Sequence, residues 1–241
     1  MIEDVIIGLL AGLMSGMFGI GGGSVRIPLL NLAGLPLLDA FAINLVVIPF
    51  SSAVGALTHR ANINHRVARF MILGGVFGSL VGAFLTGFIP PLYLAMIFVA
   101  VSVITVGAMY LDRLAPSLAK RIAPTPPTIV AGAFGLNLIT GMRGGSGGSL
   151  FPPFLKALHL DMHEAIGTSL FVTIFTALAA IAVYWRRGNI VWGPALVVLI
   201  GSMIGSRAGS QLSLKTKPLW LKIGLSVLVL ALALLTVVKA S

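Results

Sequence analysis

The chain has 241 residues, of which 58% are hydrophobic and only 9% are charged, and its mean hydropathy is +1.07. Since a soluble domain carries about a quarter charged residues, this composition excludes an ordinary water-soluble protein. The formal net charge of +10 does not indicate nucleic-acid binding, because most basic residues stand in short loops between apolar runs, as the positive-inside rule describes. We therefore predict an integral membrane protein without a nucleic-acid partner.

The apolar runs predict an all-α membrane protein, a polytopic helical bundle of about eight membrane segments. A helix that crosses a bilayer needs about 20 predominantly apolar residues, and the long uncharged runs provide this length. In chain order the predicted segments are 4–34, 38–58, 67–88, 91–111, 127–158, 162–185, 190–212 and 217–238. The predicted location is the cytoplasmic membrane, where the chain would be a multi-pass protein surrounded by lipid.

The first and fifth segments are each interrupted by a glycine-rich stretch, at residues 19–28 and 144–153. Consecutive glycines remove helix propensity, so the helix should open there and leave backbone N–H and C=O groups without helical partners. Hydrocarbon tolerates such groups only where protein or a water-filled cavity satisfies them. Close packing through small residues is the alternative, but it needs one small residue per turn. We interpret the two stretches as a paired central site.

The two halves of the chain are predicted to be four-segment repeats, each with its first segment broken. At an offset of 125 positions, the matching residues include Gly19 and Gly144, Gly22 and Gly147, Gly23 and Gly148, Ser24 and Ser149, Leu45 and Leu170. After a slip of two positions, the glycines at 74, 78 and 82 match those at 201, 205 and 209. The predicted domains are 1–111 as the first transmembrane repeat, 112–126 as a basic, proline-containing linker, and 127–241 as the second repeat.

The orientation of the repeats depends on whether each broken segment crosses the membrane or turns back. Crossing gives parallel repeats with nine basic residues on one side and four on the other, whereas turning back gives inverted repeats with ten against three. Both distributions obey the positive-inside rule, so charge does not decide between them. We favour inverted repeats, because glycine breaks at matching positions of two halves are typical of transporters built that way.

Three arginines fall inside apolar segments: Arg26 and Arg143, which flank the two breaks, and Arg207 in the seventh segment. A charge inside a membrane is costly and marks a functional site by default. No acidic residue lies deep in any predicted segment, so the missing counter-charge is expected to come from an anionic substrate. Arg207 stands close to Lys215, and snorkelling to the interface explains it equally well.

The predicted substrate site combines backbone N–H groups with charged and small polar side chains. The short helices that begin near Ser24 and Ser149 would point the positive ends of their dipoles at a common point, which suits an anion. Polar residues near the starts of the second and sixth segments would add donors, although hydrogen bonding between helices is an even alternative. The predicted substrate-binding residues are Gly21, Gly22, Gly23, Ser24, Arg26, Asn44, Arg143, Gly144, Gly145, Ser146, Gly147, Gly148, Ser149, Thr168 and Ser169.

Three motifs resemble the sulfite exporter TauE/SafE family of membrane permeases. They are the first glycine stretch followed by Ile27-Pro28-Leu29-Leu30, the recurrence of Gly-Gly-Ser before proline in the second half, and Ala165-Ile166-Gly167-Thr168-Ser169-Leu170. The resemblance covers nearly the whole chain, including the duplication. It implies transport of small anions, chiefly sulfur oxyanions and organosulfonates, across the cytoplasmic membrane. The chain departs from the family pattern at Asn44, which occupies the serine position of the Gly-Thr-Ser motif in the first half.

The resulting prediction is a secondary transporter that moves a small anion, sulfite or an organosulfonate, by alternating access. Another small anion stays an alternative, and transport of a cation would need carboxylates or histidines deep in the segments. An intramembrane enzyme would need a base or nucleophile inside the bilayer, which the sequence does not place there, and we predict no catalytic residue, metal or cofactor. A non-transporting scaffold leaves the breaks and arginines unexplained. The sequence leaves open the identity of the anion, the direction, the coupling ion and the oligomeric state, including a homodimer.

Overall fold

The computed structural model describes residues 2–86, 88, 90–111, 115, 124–145, 147–186 and 190–240. Within these ranges the regular structure is entirely helical, which confirms the predicted class. The α-helices are α1 (Ile2–Phe18), α2 (Gly23–Leu32), α3 (Leu37–Thr58), α4 (His65–Phe84), α5 (Pro91–Ala108), α6 (Pro126–Gly141), α7 (Phe151–Ala157), α8 (Met162–Arg186), α9 (Trp192–Lys215) and α10 (Pro218–Ala240). A short 3-10 helix, Arg60–Asn62, joins α3 to α4.

Five helices in the described part of the chain are long and apolar enough to cross a membrane: α3, α4, α8, α9 and the 218–235 part of α10. Helix α5 contributes a shorter apolar stretch, Met96–Ala108. Helices α1 and α6 stop short because each ends at a glycine-rich break. The fold is therefore a multi-pass helical bundle, while the division into eight segments stays a prediction.

Helices α1 and α9 pack with their backbones in close contact along a face of glycines. A Cβ atom at Gly201 would lie 2.5 Å from the carbonyl oxygen of Val5, and one at Gly209 would meet the carbonyl oxygen of Leu13. Because these contacts advance together along both helices, α1 and α9 run in the same direction. Small residues allow such close approach of helices in membranes.

Helices α4 and α6 form a second pair of the same kind. A Cβ atom at Gly82 would lie 2.5 Å from the carbonyl oxygen of Leu138, and one at Gly74 would meet the carbonyl oxygen of Val130. These contacts also advance together, so α4 and α6 run in the same direction. The glycines at 74, 78 and 82 on α4 and at 201, 205 and 209 on α9 are thus helix-packing faces.

Helices α3 and α8 lie at the centre of the bundle and run in opposite directions. The end of α3 meets the start of α8, where a Cβ atom at Gly167 would lie 3.2 Å from the Cβ atom of His59. The start of α3 meets the end of α8, where Phe41 and Tyr184 share one apolar cluster. Each of the two helices is therefore in contact with the other half of the chain along its length.

Helix α3 runs in the same direction as α9. The first half of α3 shares an apolar cluster with Ala195 and Val198 at the start of α9. Further along both helices, the Ser206 hydroxyl donates to the Ser51 carbonyl at 2.6 Å. Helix α8 runs in the same direction as α4, as shown by contacts of Asn64 with Thr168 near their starts and of Thr86 with Tyr184 near their ends.

The helix directions answer the question of the broken segments. Helices α1, α3 and α9 run one way, and α4, α6 and α8 run the other. Since α2 connects two helices of the same direction, the chain turns back at the first break, and α7 does the same after the second break. The predicted linker, 112–126, lies mostly outside the described residues.

Candidate functional site

The first break joins α1 to α2 through residues in left-handed backbone conformations. Gly19, Gly21 and Gly22 have φ angles of +73°, +70° and +76°, which side chains with a Cβ atom rarely adopt. In the second break Gly144 and Gly147 have φ angles of +66° and +75°. The predicted opening of both helices is therefore observed, and both breaks depend on glycine.

The two breaks touch each other. A Cβ atom at Gly148 would lie only 2.6 Å from the carbonyl oxygen of Ile20, so the backbone of the second break lies against that of the first. All of these residues are buried. The structure thus places the two glycine-rich stretches, which are far apart along the chain, at one point inside the bundle.

Two hydrogen bonds cross between the halves at this point, and they are equivalent. The Asn44 side-chain amide donates to the carbonyl oxygen of Gly144 at 2.8 Å, and the Ser169 hydroxyl donates to the carbonyl oxygen of Gly19 at 2.6 Å. Both donors and both acceptors are related by the offset of 125 positions. Each central helix therefore satisfies a carbonyl group that the break of the other half leaves without a helical partner.

Arg26 lies on α2 beside the first break and its side chain is fully buried. The guanidinium Nη1 donates to Asn44 Oδ1 at 2.6 Å, and Nη2 donates to the hydroxyl of Ser202 at 2.9 Å. Nε has no hydrogen-bond partner among the described residues. Both partners of this guanidinium are neutral, so the protein solvates the positive charge without neutralising it.

Ser202 and Asn44 hold the guanidinium by contacts of their own. The Ser202 hydroxyl donates onward to the carbonyl oxygen of Gly8 at 3.0 Å, and Asn44 also bonds the second break. Arg26 is thereby connected to α1 and α9 on one side and to Gly144 on the other. A movement of this side chain would therefore change hydrogen bonds at both breaks.

Arg143 is placed differently. Its guanidinium carbon lies 4.1 Å from the centroid of the Phe98 ring on α5, a distance at which a cation and an aromatic face attract each other. The side chain is partly exposed. The two arginines that flank the breaks therefore lie against different helices: Arg26 bonds Asn44 on α3 and Ser202 on α9, whereas Arg143 lies against Phe98 on α5.

The other predicted residues divide between the breaks and the loops. Ser24 is partly buried in the first turn of α2, and Ser149 is buried within the second break. Thr168 accepts a hydrogen bond from the backbone N–H of Asn64 at 2.9 Å, so it fixes the α3–α4 connection rather than a break. Gly145 bonds the carbonyl oxygen of Thr140 at 2.8 Å. Ser146 lies outside the described residues.

Two polar residues near the breaks, Ser202 and Asn137, are absent from the predicted set. Each has a glycine at the matching position of the other half, Gly75 and Gly12 respectively. A comparison of the halves for positions where a polar residue faces a glycine would have found both. A match of identical residues in the two halves does not show Ser202 or Asn137, because each faces a different residue type, glycine, in the other half.

Comparisons with known proteins agree with this architecture. The profile of the family described as sulfite exporter TauE/SafE matches residues 5–236. The probable membrane transporter protein YdhB of Bacillus subtilis is 26% identical over 220 residues, which cover 86% of this chain and 88% of YdhB. The probable membrane transporter protein MJ0441 of Methanocaldococcus jannaschii is 24% identical, with 92% and 90% covered.

A third relative is the probable membrane transporter protein YfcA of Escherichia coli K12, which is 24% identical over 86% of this chain and 78% of its own length. No solved structure matches the chain. The family match extends over both breaks and every helix that forms them.

Proposed function

This chain belongs to the sulfite exporter TauE/SafE family and is a multi-pass membrane transporter of the cell membrane, and we propose that it is a secondary transporter of a small anion, sulfite or an organosulfonate. The observation that carries the proposal is the fully buried guanidinium of Arg26, whose partners Asn44 and Ser202 are neutral. Burial of a charge without a counter-charge is unfavourable. An anion that binds there supplies the counter-charge.

The chemistry of the site suits an oxyanion. A guanidinium presents planar N–H donors that match two oxygens of a sulfite or sulfonate group. The N-terminus of α2 begins at Gly23, three residues before Arg26, and its free N–H groups add positive electrostatic potential at the same place. The described part of the chain contains no cluster of three acidic, histidine or cysteine side chains that would hold a metal ion, so nothing there favours a metal as cargo.

We propose further that residues 1–111 and 127–241 are inverted repeats, which would move against each other in alternating access. Four pairs of contacts support this. Asn44 and Ser169 bond the opposite breaks, and the glycine rows of α9 and α4 contact equivalent residues of α1 and α6. The equivalent contacts are Gly201 with Val5 and Gly74 with Val130, Gly205 with Leu9 and Gly78 with Phe134, Gly209 with Leu13 and Gly82 with Leu138.

The distribution of basic residues supports one orientation of this bundle. Arg60, Arg66, Lys156 and Lys215 lie at the end where α3 and α9 finish, whereas Arg186 lies at the opposite end. The positive-inside rule places the basic end in the cytoplasm. In this orientation the first residues of α1 lie on the outer side.

The proposal is tested by anion flux through the purified protein in proteoliposomes. Arg26→Gln keeps a polar side chain but removes the charge, and we expect sulfite or sulfonate uptake to fall by about 100-fold, since loss of a buried charged partner costs about 2 to 5 kcal/mol. Arg26→Lys keeps the charge without the planar donors, so its uptake should be intermediate. The matched control is Arg207→Gln, which removes an exposed arginine of α9 and should leave uptake unchanged.

The melting temperature in detergent separates transport from folding. Arg26→Gln should melt no earlier than the wild type, because it removes a buried charge that no carboxylate neutralises. Unchanged anion uptake by this variant would remove Arg26 from the site. Anion transport itself would be rejected if the wild type took up none of sulfite, alkanesulfonates, sulfate and nitrate.

A further inference from the structure

A cavity of about 320 Å³ lies where the first two turns of α4 and α6 face each other. Further along, the two helices are in close contact at Gly74 and Val130. One turn before Gly74 the residue of α4 is Phe70, so a ring stands where a glycine would allow contact. Phe70 and Ile129 both line the space, whose volume lies in the range of about 300 to 1,000 Å³ that is usual for ligand sites. We call it the α4–α6 cavity.

The α4–α6 cavity has an apolar floor and an exposed rim. Val67, Ile129 and Leu160 line it and are buried. Arg66 and Pro126 also line it and are exposed, so the cavity opens at the surface of the bundle. It lies at the end where α4 and α6 begin, which is the basic end that the proposed orientation places in the cytoplasm. An occupant that fills it needs both an apolar part and a polar part.

The rim of the cavity carries positive charge. Arg66 lines it directly. The guanidinium carbon of Arg69 lies 4.9 Å from the centroid of the Phe70 ring, within the range of cation–π attraction, and this ring is part of the cavity wall. Helices α4 and α6 run in the same direction, so the positive ends of both helix dipoles lie at this end as well.

Asn64 adds a hydrogen-bond donor to the lining. Its Oδ1 accepts from the backbone N–H of Val67 at 3.1 Å, so the Nδ2 group supplies the donors of this amide. None of the described residues that line the cavity is acidic. The carboxylate of Asp161, which follows the lining residue Leu160, accepts from the backbone N–H of Glu164 at 2.9 Å and so caps α8. The lining is therefore complementary to an anionic group.

The cavity also adjoins the surface that faces lipid. Leu73 and Phe77 continue the helix face of Arg66 and Arg69 along α4, and they are 52% and 57% exposed. Because α4 is long and apolar enough to cross the membrane, these exposed side chains face lipid tails. Arg66 is the second residue of α4, so it lies at the level of the lipid headgroups. Basic pockets between membrane helices on the cytoplasmic side are typical sites for anionic headgroups.

We propose that the α4–α6 cavity binds an anionic phospholipid of the cytoplasmic leaflet, with its phosphate at Arg66 and the start of an acyl chain against Phe70 and Ile129. The planar guanidinium matches two phosphate oxygens, and the acyl chain covers the apolar floor. A small soluble anion would leave that floor unfilled. The cavity shares no residue with the Arg26 site, so the inference does not depend on anion transport. Only the choice of leaflet uses the proposed orientation.

The first experiment titrates the purified protein in a non-ionic detergent with dioctanoyl phosphatidylglycerol and measures the melting temperature. We expect a saturable rise of several degrees, since a ligand that binds only the folded state stabilises it. Dioctanoyl phosphatidylcholine has no net charge and should give a clearly smaller rise. Inorganic phosphate and glycerophosphoglycerol lack acyl chains, and at the same concentrations they should give none.

Variants of the rim test the charge. Arg66→Gln should raise the half-saturating concentration of phosphatidylglycerol by about tenfold, which corresponds to about 1.4 kcal/mol, because it removes a charge-assisted contact with the phosphate. Arg66→Lys keeps the charge without the planar donors and should be intermediate. The matched control is Arg60→Gln, because Arg60 is an exposed arginine of the same end that does not line the cavity. It should leave the affinity unchanged.

A second experiment locates the lipid in proteoliposomes. A phosphatidylglycerol analogue with a photoreactive diazirine near the start of one acyl chain should label peptides that contain Phe70 or Ile129, as identified by mass spectrometry. Arg66→Gln should reduce this labelling, whereas Arg60→Gln should not. Labelling that is confined to other helices would overturn the site.

The melting temperatures give three further outcomes that would overturn the inference. They are equal rises with phosphatidylglycerol and phosphatidylcholine, an equal rise with inorganic phosphate, which would indicate a site for soluble anions, and an unchanged affinity for phosphatidylglycerol in Arg66→Gln. Arg26→Gln separates the inference from the proposed function, since it should lose anion uptake and keep the affinity for phosphatidylglycerol. A wild type that transports no anion would reject the proposed function and leave the lipid result as it stands.

Discussion

The two breaks have the same left-handed backbone conformation at matching glycines, but different side chains lie against those glycines. Gly22 and Gly147 are equivalent, with φ angles of +76° and +75°. The nearest side-chain atom to a Cβ at Gly22 is Nη2 of Arg26, at 2.9 Å, with the carbonyl oxygen of Ala11 at the same distance. At Gly147 the nearest atom is Cζ of Phe151, at 2.6 Å. Position 26 and position 151 are themselves related by the offset of 125. A guanidinium in the first half therefore occupies the place that a phenyl ring occupies in the second.

A second pair of matching positions, at the ends of the central helices α3 and α8, also holds two different side chains. His59 follows the end of α3 and packs against Gly167 at the start of α8. Its counterpart Tyr184 lies at the end of α8, among apolar residues from the start of α3. Both side chains are fully buried. The Tyr184 hydroxyl donates to Thr86 at 3.1 Å, whereas neither ring nitrogen of His59 has a hydrogen-bond partner among the described residues.

These pairs teach that symmetry of the backbone does not require symmetry of charge. A second arginine at position 151, the counterpart of Arg26, would place two buried like charges close together, which is more costly than one. With one Arg26 at this position, a single anionic group would supply the counter-charge in the proposed site. The second half keeps the backbone geometry and fills the equivalent position with an apolar ring that needs no counter-charge.

The largest expected effect tests whether both breaks depend equally on glycine. Gly22→Ala and Gly147→Ala each place a Cβ atom on a left-handed backbone and against close neighbours, so each should lower stability by about 2 to 5 kcal/mol. Gly34→Ala is the matched control, because Gly34 also has a positive φ of +95° but no atom within 4 Å of a Cβ, and it should cost about 1 to 2 kcal/mol. Melting temperatures in detergent measure this order.

Only Gly22→Ala should also change the affinity for the anion, since its methyl group displaces Nη2 of Arg26. Gly147→Ala displaces Phe151 and Asn137 instead, and we expect its half-saturating anion concentration in uptake assays to stay near that of the wild type. Equal loss of anion affinity in both variants would contradict the assignment of the anion to the first break.

The next largest effect is the pH dependence of stability that His59 causes and that Tyr184 at the matching position does not. Burial, and to a smaller extent the nearby His163, lower the pKa of His59 to about 4, while in the unfolded chain the pKa is about 6.5. The unfolded state therefore binds more protons between these values, and stability should fall as the pH drops from about 6.5 to 4, by up to about 3 kcal/mol. Tyr184 carries a phenol in place of the imidazole at the matching position.

The measurement is the melting temperature between pH 7.5 and pH 4 for three proteins. His59→Leu should flatten the profile of the wild type. His65→Gln is the control, because His65 is exposed, and it should keep the wild-type slope. A slope that survives in His59→Leu would assign the pH dependence to another group.

The smallest effect compares the two hydrogen bonds that cross between the halves. Asn44→Ala and Ser169→Ala each remove one bond to a carbonyl oxygen of the opposite break, and each should cost about 1 kcal/mol of stability. Asn44 also holds Nη1 of Arg26, so only Asn44→Ala should weaken anion uptake as well. Equal uptake by the two variants would indicate that Arg26 does not act through Asn44.

The sequence was sufficient for the helical class, the positions of the breaks and the family, because these depend on local composition and on motifs. The runs of glycine around Gly22 and Gly147 are visible without any structure, since few residues other than glycine adopt left-handed backbone. The equal treatment of Arg26 and Arg143 in the predicted site was a consequence of their similar positions in the sequence. Arg26 bonds Asn44 and Ser202 whereas Arg143 lies against the Phe98 ring, because the direction of a side chain depends on which helix packs beside it.

The roles of Ser202 and Asn137 could not be read from the sequence, since a single polar residue in an apolar segment has many explanations. The hydrogen-bond partners of Ser202, which are Arg26 and Gly8, lie on helices that are distant in the chain, and so does Gly75, which lies against the Asn137 side chain. The same holds for the choice between crossing and returning segments, because both fit the charge distribution.

By itself, the amino-acid sequence determined a multi-pass helical membrane protein with two glycine-rich helix breaks and an arginine beside each, since glycine runs, hydropathy and charge act locally. The tertiary structure alone decided that the breaks touch, that α1 and α3 run in the same direction, and that one arginine is buried among neutral groups. These features depend on contacts between segments far apart in the chain, and long-range packing leaves no periodic signal in either segment.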